Sequence, residues 1–435
     1  MRRIVVTVAG LDSSGGAGLH ADMRAFGISG VHAYHVITCI TVQNPDRVFS
    51  IHPIDEELLK DQLERVLALA KPSVIKLGMI YRGDNLRCVA DIIEDRKIER
   101  VVADPVLKAS DGTMLCDESY IKVYRERLIP LVYLLTPNME EAGMLSGFKG
   151  DVCCLAEHLN NAGAENVLIK GGDLGGKESI DVLFDGRRFY RFSLPRIRGR
   201  WHGTGCVFSS LIAGNLSKGM GIRRSIDVAK RILWSMMLNS FSIGSEVKIL
   251  GDPREFDIPP EGMDGERFAI WYSLNRMIKS LLKILPSDMI PEVGVNVGYA
   301  LRNARSIEDV CALEGRITKG KSHGLLKFGA SEHVARMIIT AMRFDERKRA
   351  GMNLRYREEI VERFEEEGFL VSSFDRREEP AYSRSTMEWG VNRVVEEVGR
   401  VPDVIWDRGG HGKEPMIRLL GNDPRDLLVK IRRVL

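Results

Sequence analysis

The sequence predicts an α/β protein of two domains, a mostly parallel sheet domain followed by a second, smaller α/β domain, and three observations carry that expectation. The chain has 435 residues, more than one hydrophobic core ordinarily supports. Through the first half, short near-continuous apolar runs alternate with amphipathic stretches, the pattern of strands covered on both faces by crossover helices. Between about 245 and 265 the pattern breaks in SEVKILGDPREFDIPPEGMDGE, a stretch with three prolines, three glycines and little periodicity. The expected division is therefore residues 1–245, a linker over 246–264, and residues 265–435.

Residues 3–9, RIVVTVA, form a β-branched run that ends in GLDSSGGAGLHAD at 10–22, and strand, glycine loop and helix open a βαβ unit. No Gly-Lys-Ser/Thr closes this loop and it does not fit Gly-x-Gly-x-x-Gly, so a nucleotide fingerprint is absent here. Asp12 and Asp22 read as caps. Further strands are expected near 34–42, 73–79, 100–106, 131–136 and 166–171, and IDVLFDGRRFYRFSL at 180–194 reads as a hairpin around Asp185-Gly186. In a parallel sheet, ligands bind outside the carboxyl ends of the strands. That rule lines up Gln43, Gly78, Met79, Asp104, Asn138, Glu141 and Lys170 with Gly171 and Gly172. Each has an ordinary alternative, such as a helix cap for Asn138 or turn chemistry for Asp104 before Pro105.

WHGTGCVFSSLI at 201–212 is the stretch that the first half converges on. Gly203, Thr204 and Gly205 turn the backbone, and Val207, Phe208, Leu211 and Ile212 come next with the spacing of a buried helix face, before a second helix at 222–243. The first amides of a helix lack partners within it and, with the macrodipole, present roughly half a positive charge. Such a turn suits a phosphate or oxyanion. The same field can pull the Cys206 thiol from about 8.5 towards about 7 or below, which makes it a possible base. A Cys in that place is equally a small buried hydrophobe.

Composition narrows the class. The apolar fraction of 44% and charged fraction of 28% belong to a soluble globular protein, and a net charge of +3 does not suggest a nucleic-acid partner. Seven cysteines without a Cys-x-x-Cys pair indicate neither a disulfide framework nor a zinc site. No apolar run reaches the ~20 residues that span a bilayer, so no membrane partner is expected and the cytoplasm is the default compartment.

In the second half ERFAIWYSLNRMIKSLLKIL gives a helix at about 265–285, with Phe268, Trp271, Leu274, Ile278 and Leu281 on one face. Strands near 293–301, 309–318 and 369–374 alternate with helices near 331–345, 358–367 and 386–398, and VIWDRGGHGKEPMIRLL at 404–420 reads as a strand turning through glycines into a helix. Groups able to do chemistry are Asn296, Arg316, Ser331, His333, Arg336, Asn353, Arg355, Lys413 and Glu414. With Ser331 as N-cap, His333 and Arg336 share one face of a first helical turn, where a cationic pair is unfavourable unless an anion arrives. A solvated pair is the plainer alternative.

The segments AGLDSSGGAGLHAD, TVQNP, KLGM, ADPV, TPNMEEA, LIKGG and HGTGCVFSS, in this order over residues 9–210, resemble the hydroxymethylpyrimidine/phosphomethylpyrimidine kinases of thiamine biosynthesis, which have the ribokinase-like fold. That resemblance implies ATP and Mg²⁺ as cofactors. It puts Gly10, Asp22, Gln43 and Met79 on the pyrimidine, Asp104 and Glu141 on metal and phosphates, Asn138, Lys170, Gly171 and Gly172 on ATP, the 203–205 amides in the oxyanion hole, and Cys206 as the base. PEVGVNVGYAL, EGRI, FGASEHVARMIITAM, MNLRY and WDRGGHGKEPMI over about 265–435 resemble the domain that makes thiamine phosphate in organisms lacking the TIM-barrel synthase. There the resemblance implies Arg316 and His333 as catalytic and Asn296, Arg336, Asn353 and Lys413 as substrate-binding. The implied protein is a bifunctional enzyme with small-molecule substrates and a homo-oligomeric assembly. Its rivals are a kinase of pyridoxal or a related vitamin, and a second domain that senses thiamine phosphate without making it.

Overall fold

The structure, a computed structural model, describes residues 3–69, 71–172, 175–263, 265–320, 323–380, 385–410 and 412–435. The chain divides into two compact units, the first ending at Arg254 and the second starting at Glu255.

The first unit alternates strand and helix from its start. Its first half comprises β1 (Ile4–Asp12), α1 (Gly18–Ser29), β2 (His32–Gln43), β3 (Val48–Pro53), α2 (Glu56–Leu69), β4 (Val74–Leu77), α3 (Gly83–Asp95) and β5 (Val101–Ala103). Its second half comprises α4 (Tyr120–Val123), β6 (Leu134–Leu135), α5 (Met139–Ser146), α6 (Val152–Asn161), β7 (Asn166–Ile169), β8 (Glu178–Phe184), β9 (Phe189–Pro195), β10 (Trp201–His202), α7 (Thr204–Ser217), α8 (Ile222–Leu238) and β11 (Lys248–Ile249). Strands β2-β1-β4-β5-β6-β7 are parallel neighbours in that order, and antiparallel strands extend both edges, β3 beyond β2 and β8 with β9 beyond β7. The apolar strands are buried on both sides, as their sequences require. Val5, Val74, Val102, Leu134 and Leu168 pack with Phe26, Leu211 and Ile226 of α1, α7 and α8. Val6, Val8, Ile75 and Leu77 pack with Leu59, Val89 and Leu155 of α2, α3 and α6. Strand order reverses at β1, which puts a crevice at the carboxyl ends beside it.

The stretch expected as a linker begins inside this packed unit. β11 pairs with β10, Val247 is buried, and Leu250 belongs to the same core as α7.

The second unit contains α9 (Gly265–Ile284), β12 (Val297–Ala300), β13 (Val310–Leu313), β14 (Leu326–Phe328), α10 (Glu332–Phe344), β15 (Ala350–Arg355) and α11 (Glu358–Glu366). It ends with β16 (Val371–Ser373), α12 (Thr386–Val398), β17 (Val404–Asp407), β18 (Met416–Gly421) and α13 (Pro424–Val434). Its seven-stranded sheet runs β14-β13-β12-β15-β18-β17-β16 and is antiparallel except for the β16–β17 pair. Met337, Ile338, Val391 and Val394 of α10 and α12 close one core against Ile405 and Leu420. The expected turn from strand into helix at 404–420 is wrong: the glycine stretch closes a hairpin between β17 and β18. β18 is held extended by β15, which contains the MNLRY motif and pairs with it over six positions.

Candidate functional site

At the carboxyl ends of the parallel strands the first unit opens a cavity of about 890 Å³. Gly10, Gln43, Met79, Asp104, Asn138, Glu141, Lys170, Gly172, Gly203, Thr204, Gly205 and Cys206 all line it, although they come from distant stretches of sequence. Gly203 caps α7 at φ 76°, and a Cβ there would fall 2.0 Å from the Gly16 carbonyl oxygen, so only glycine makes this turn. The amides of Thr204, Gly205 and Cys206 open α7 and have no acceptor within it. The space beside the Gly205 Cα lies 3.2 Å from Lys170 Nζ and 3.6 Å from Asp104 Oδ2. An anion-seeking turn thus faces a charged cluster.

That cluster is buried and asymmetric. Lys170 Nζ donates to Asp104 Oδ1 at 2.6 Å and lies 3.8 Å from Glu141 Oε2, while the Thr136 and Ser209 hydroxyls donate to Asp104 at 3.1 and 3.2 Å. Burial opposes the charge on Asp104, yet Lys170 and Lys76 outweigh it and hold this carboxyl below its usual range. Glu141 goes the other way: burial, with Asp104 adding to it against Lys170, pushes its carboxyl up to about 7. Asn138 and Glu141 also form a reciprocal cap at the start of α5, with both bonds at 2.8 Å. A proton therefore competes with any cation for Glu141 below pH ~7. The apparent affinity for a metal–nucleotide pair is expected to rise as pH climbs through ~7, because the carboxylate form is the one that attracts it. In Glu141→Gln that limb of the pH profile should vanish; a profile unchanged from wild type would remove Glu141 from the nucleotide site.

Three placements differ from expectation. Asp22 does not reach the cavity: it is fully buried, accepting from Lys76 Nζ at 2.8 and 3.0 Å, from the Thr7 hydroxyl at 2.6 Å and from the Ser210 hydroxyl at 2.7 Å. Gly171 lies just behind the wall, with its amide donating to Asp181 at 2.8 Å. The Cys206 thiol is not lowered but pushed up to about 11, by burial first and by Asp104 and Asp22, against Lys76 and the Gly18 N–H. Desolvation decides the sign at this depth.

Sequence reasoning gives no site role to Lys76, His202 or Arg196 and reads Asp12 as a cap. Lys76 is 0% exposed at its side chain, yet it borders the cavity, and Asp22 and Asp104 keep it charged despite burial. A lysine inside the apolar run SVIKLGM was the available signal. Asp12 accepts the amides of Ser14, Gly16 and Ala17 and pairs with His202 Nε2 at 2.9 Å, so it fastens the glycine loop to the 203–206 turn. Burial works against its charge, but bonds from His202 and Gln43 hold its carboxyl far below the usual range. Gln43 is thus engaged with Asp12 by its side chain and with the Ser13 hydroxyl by its backbone. Arg196 donates to the carbonyls of Gly171, Gly172 and Gly175, bracing the glycine turn after β7.

In the second unit Asn296 and Asn353 interlock. The Asn296 amide donates to Asn353 Oδ1 at 2.7 Å, Asn296 Nδ2 donates to the Leu313 and Gly315 carbonyls at 3.0 and 3.1 Å, and Asn353 Nδ2 donates to Gly294 O at 3.0 Å. Arg316 is next to Gly315 in the chain and donates to Val293 O at 3.1 Å, so Asn296, Arg316 and Asn353 do come together. Ser331 holds the N-cap position of α10 but makes no capping bond with its side chain, and His333 is exposed. Arg336 is compensated by Glu332 at 2.8 Å and Glu388 at 3.9 Å, so the unbalanced cationic pair expected there is not present. Lys413 is exposed, with Nζ 3.4 Å from Thr386 Oγ1. His411 of the last motif lies outside the described residues.

Comparison with known proteins gives the same division. The phosphomethylpyrimidine kinase family model matches residues 12–250, and that of the thiamine-phosphate synthase ThiN matches 273–433. The bifunctional thiamine biosynthesis protein ThiDN of Methanocaldococcus jannaschii is 32% identical over 441 residues, covering 98% of this chain and 97% of its own. The chain belongs to this bifunctional thiamine biosynthesis family. The hydroxymethylpyrimidine/phosphomethylpyrimidine kinase of Aquifex aeolicus, a relative of the first half alone, is 34% identical over 252 residues, 57% of this chain and 99% of that one. Among solved structures, an ADP complex of Bacillus subtilis pyridoxal kinase superposes with a TM-score of 0.54 at 29% identity, over 58% of this chain and 98% of that one. Pyridoxal kinase from Staphylococcus aureus with AMP-PCP and pyridoxal gives 0.53 at 26% identity, over 57% of this chain and 93% of that one. The fold of the first unit is thus ribokinase-like. Among the described residues no helix is long and apolar enough to cross a membrane.

Proposed function

We propose that the first unit, ending at Arg254, phosphorylates hydroxymethylpyrimidine and then its monophosphate with ATP, and that residues 265–435 join the diphosphate to thiazole phosphate, releasing thiamine phosphate and pyrophosphate. The observation that carries the first half is the cavity in which the Gly203–Cys206 turn faces Lys170, Asp104 and Glu141. Phosphoryl transfer needs positioning and charge stabilisation more than covalent help. The turn amides would hold the transferred group, where one such donor is worth about 10²–10³ in rate, and Cys206 would take the hydroxyl proton. Lys170, braced against Asp104, would meet the phosphates, and Gln43 with Met79 would border the pyrimidine.

A pair of carboxylates, with their hard oxygen donors, suits Mg²⁺, which is held by one or two such groups and completes its shell with waters and substrate phosphates. Burial, with Asp104 adding to it, makes an unpaired Glu141 carboxylate costly, a cost that a bound cation would offset, and both carboxylates border the cavity, so Asp104 and Glu141 fit as the holders. When bound, the ion would neutralise phosphate charge. The phosphomethylpyrimidine kinase family model over residues 12–250 and the bifunctional relative matched over 98% of the chain favour the pyrimidine over pyridoxal.

For the second half, loss of pyrophosphate would leave a cationic pyrimidine methylene, and Arg316, His333, Arg336 and Lys413 would serve the leaving group. The deciding experiment supplies pyrimidine diphosphate and thiazole phosphate directly to the full chain and measures pyrophosphate. Arg316→Ala is expected to lower release by at least ~10-fold, the loss of one charged hydrogen bond. Kinase turnover by the same variant should match wild type. Tight binding of thiamine phosphate by the wild-type chain with no synthesis under any metal condition would replace the synthase by a sensor.

A further inference from the structure

Outside the residues assigned above, the second unit buries two arginines against one carboxylate. Asp407, fully buried at the end of β17, accepts from Arg376 Nε and Nη2 at 2.6 and 3.3 Å and from the Gly409 amide at 2.7 Å, and Arg418 Nη1 lies 2.6 Å from its Oδ2. One negative charge thus faces two positive ones, on side chains that are only 11% and 3% exposed for Arg376 and Arg418. Arg418 Nη1 is taken up by Asp407, the guanidinium lies 5.2 Å from the Phe374 ring centroid, and among the described residues Arg418 Nε has the weak acceptor Met387 Sδ at 3.2 Å. Burying an uncompensated cation is costly, and a thioether is a weak acceptor for a guanidinium N–H. Burial, with Arg376 adding to it, makes Arg418 hold its proton less tightly than a solvated arginine, against the pull of Asp407.

The excess charge sits beside the groups already gathered. Arg418 is the cross-strand partner of Asn353, Met387 lies in the first turn of α12, and Lys413 reaches Thr386 at the start of that helix. The carboxylates nearby are already engaged: Glu379 accepts the Thr386 hydroxyl at 2.9 Å, and Glu388 is tied to Arg343 at 2.7 Å. We infer that Arg376 and Arg418, with Lys413, form the seat of a phosphoryl group in the second unit. A phosphoryl oxyanion would supply a second negative charge and stronger acceptors, matched to guanidinium forks. The inference rests on the synthase reading for its ligands. Two of them carry that chemistry: the monoester of thiazole phosphate, which survives into the product, and the diphosphate of the pyrimidine partner.

Titration calorimetry of the full chain with thiamine phosphate, thiamine and inorganic pyrophosphate tests this. Wild type is expected to prefer thiamine phosphate to thiamine, and Arg376→Gln to reduce that preference by at least about 10-fold. A comparable loss of pyrophosphate affinity with the preference intact would assign the seat to the leaving diphosphate, and supports the inference equally. Arg376→Lys keeps the charge but not the fork, and should show a partial loss in the same arm if Arg376→Gln fails to fold. Unchanged affinities together with a lowered melting temperature would make the pair purely structural and overturn the inference, as would a wild type indifferent to the phosphate. Binding without synthesis by wild type sinks the synthase reading instead and leaves the seat standing.

Discussion

Cys206→Ala is expected to lower pyrimidine phosphorylation by at least ~10²-fold while pyrimidine binding stays nearly intact, the lower range for loss of a general base. The thiol opens α7 beside the turn amides, but burial pushes it up to about 11, so the thiolate is scarce at neutral pH. That fixes a sign. If the thiolate is the acting form, wild-type turnover should climb with pH from ~8 towards 11, above the range in which Glu141 titrates. Cys206→Asp should retain part of the activity and be flat over the same interval, since a carboxylate is ionised throughout. Unchanged turnover in Cys206→Ala would move the base elsewhere, and a flat wild-type profile would assign the thiol to packing.

The largest expected loss of stability comes from Asp22→Ala. Lys76 and Asp22 are both 0% exposed at their side chains and bond at 2.8 Å, and the Thr7 and Ser210 hydroxyls complete the carboxylate. Removing the carboxylate leaves a buried ammonium and two buried hydroxyl donors, at a cost of about 3–5 kcal/mol. Urea unfolding of the full chain should show the first-unit transition moved by that amount. Replacing both partners, as in Asp22→Leu with Lys76→Met, should recover much of the loss, because the desolvated charge goes with its counter-charge. A loss under about 1 kcal/mol in the single variant would mean that Asp104 carries the balance for Lys76.

Where the sequence was legible, the reason was local periodicity joined to one rule of sheet topology. Gln43, Asp104 and Lys170 are far apart in the chain, yet each comes just after an apolar run, and parallel strands bring their carboxyl ends to one edge. Asp22 lies on the buried face of α1 with Ala21, Ala25 and Phe26, and its partner Lys76 lies in β4, so the pair that claims its carboxylate is not legible from either stretch alone. The direction of the Cys206 shift is not legible in WHGTGC, which shows the start of a helix, because the burial and carboxylates that raise the thiol come from distant segments. The hairpin at 404–421 was hidden for a similar reason: glycines announce a turn but not the element on its far side, and only the pairing of β15 with β18 decides it. Arg376 and Arg418 carry no motif; their meaning arises from sharing Asp407.

Leu250 sets where the two genetic halves could come apart. Its carbonyl accepts from Arg24 at 3.0 Å, its side chain fills the core beneath α7, and the adjoining β11 is the partner of β10, the strand that leads into the Gly203 turn. A reading frame ended at residue 245 would keep every group in the cavity yet release the strand that steadies the anion turn. Fission between the halves is tolerable only downstream of this tail, so the final segment of the kinase travels with the kinase however loop-like its prolines and glycines make it look.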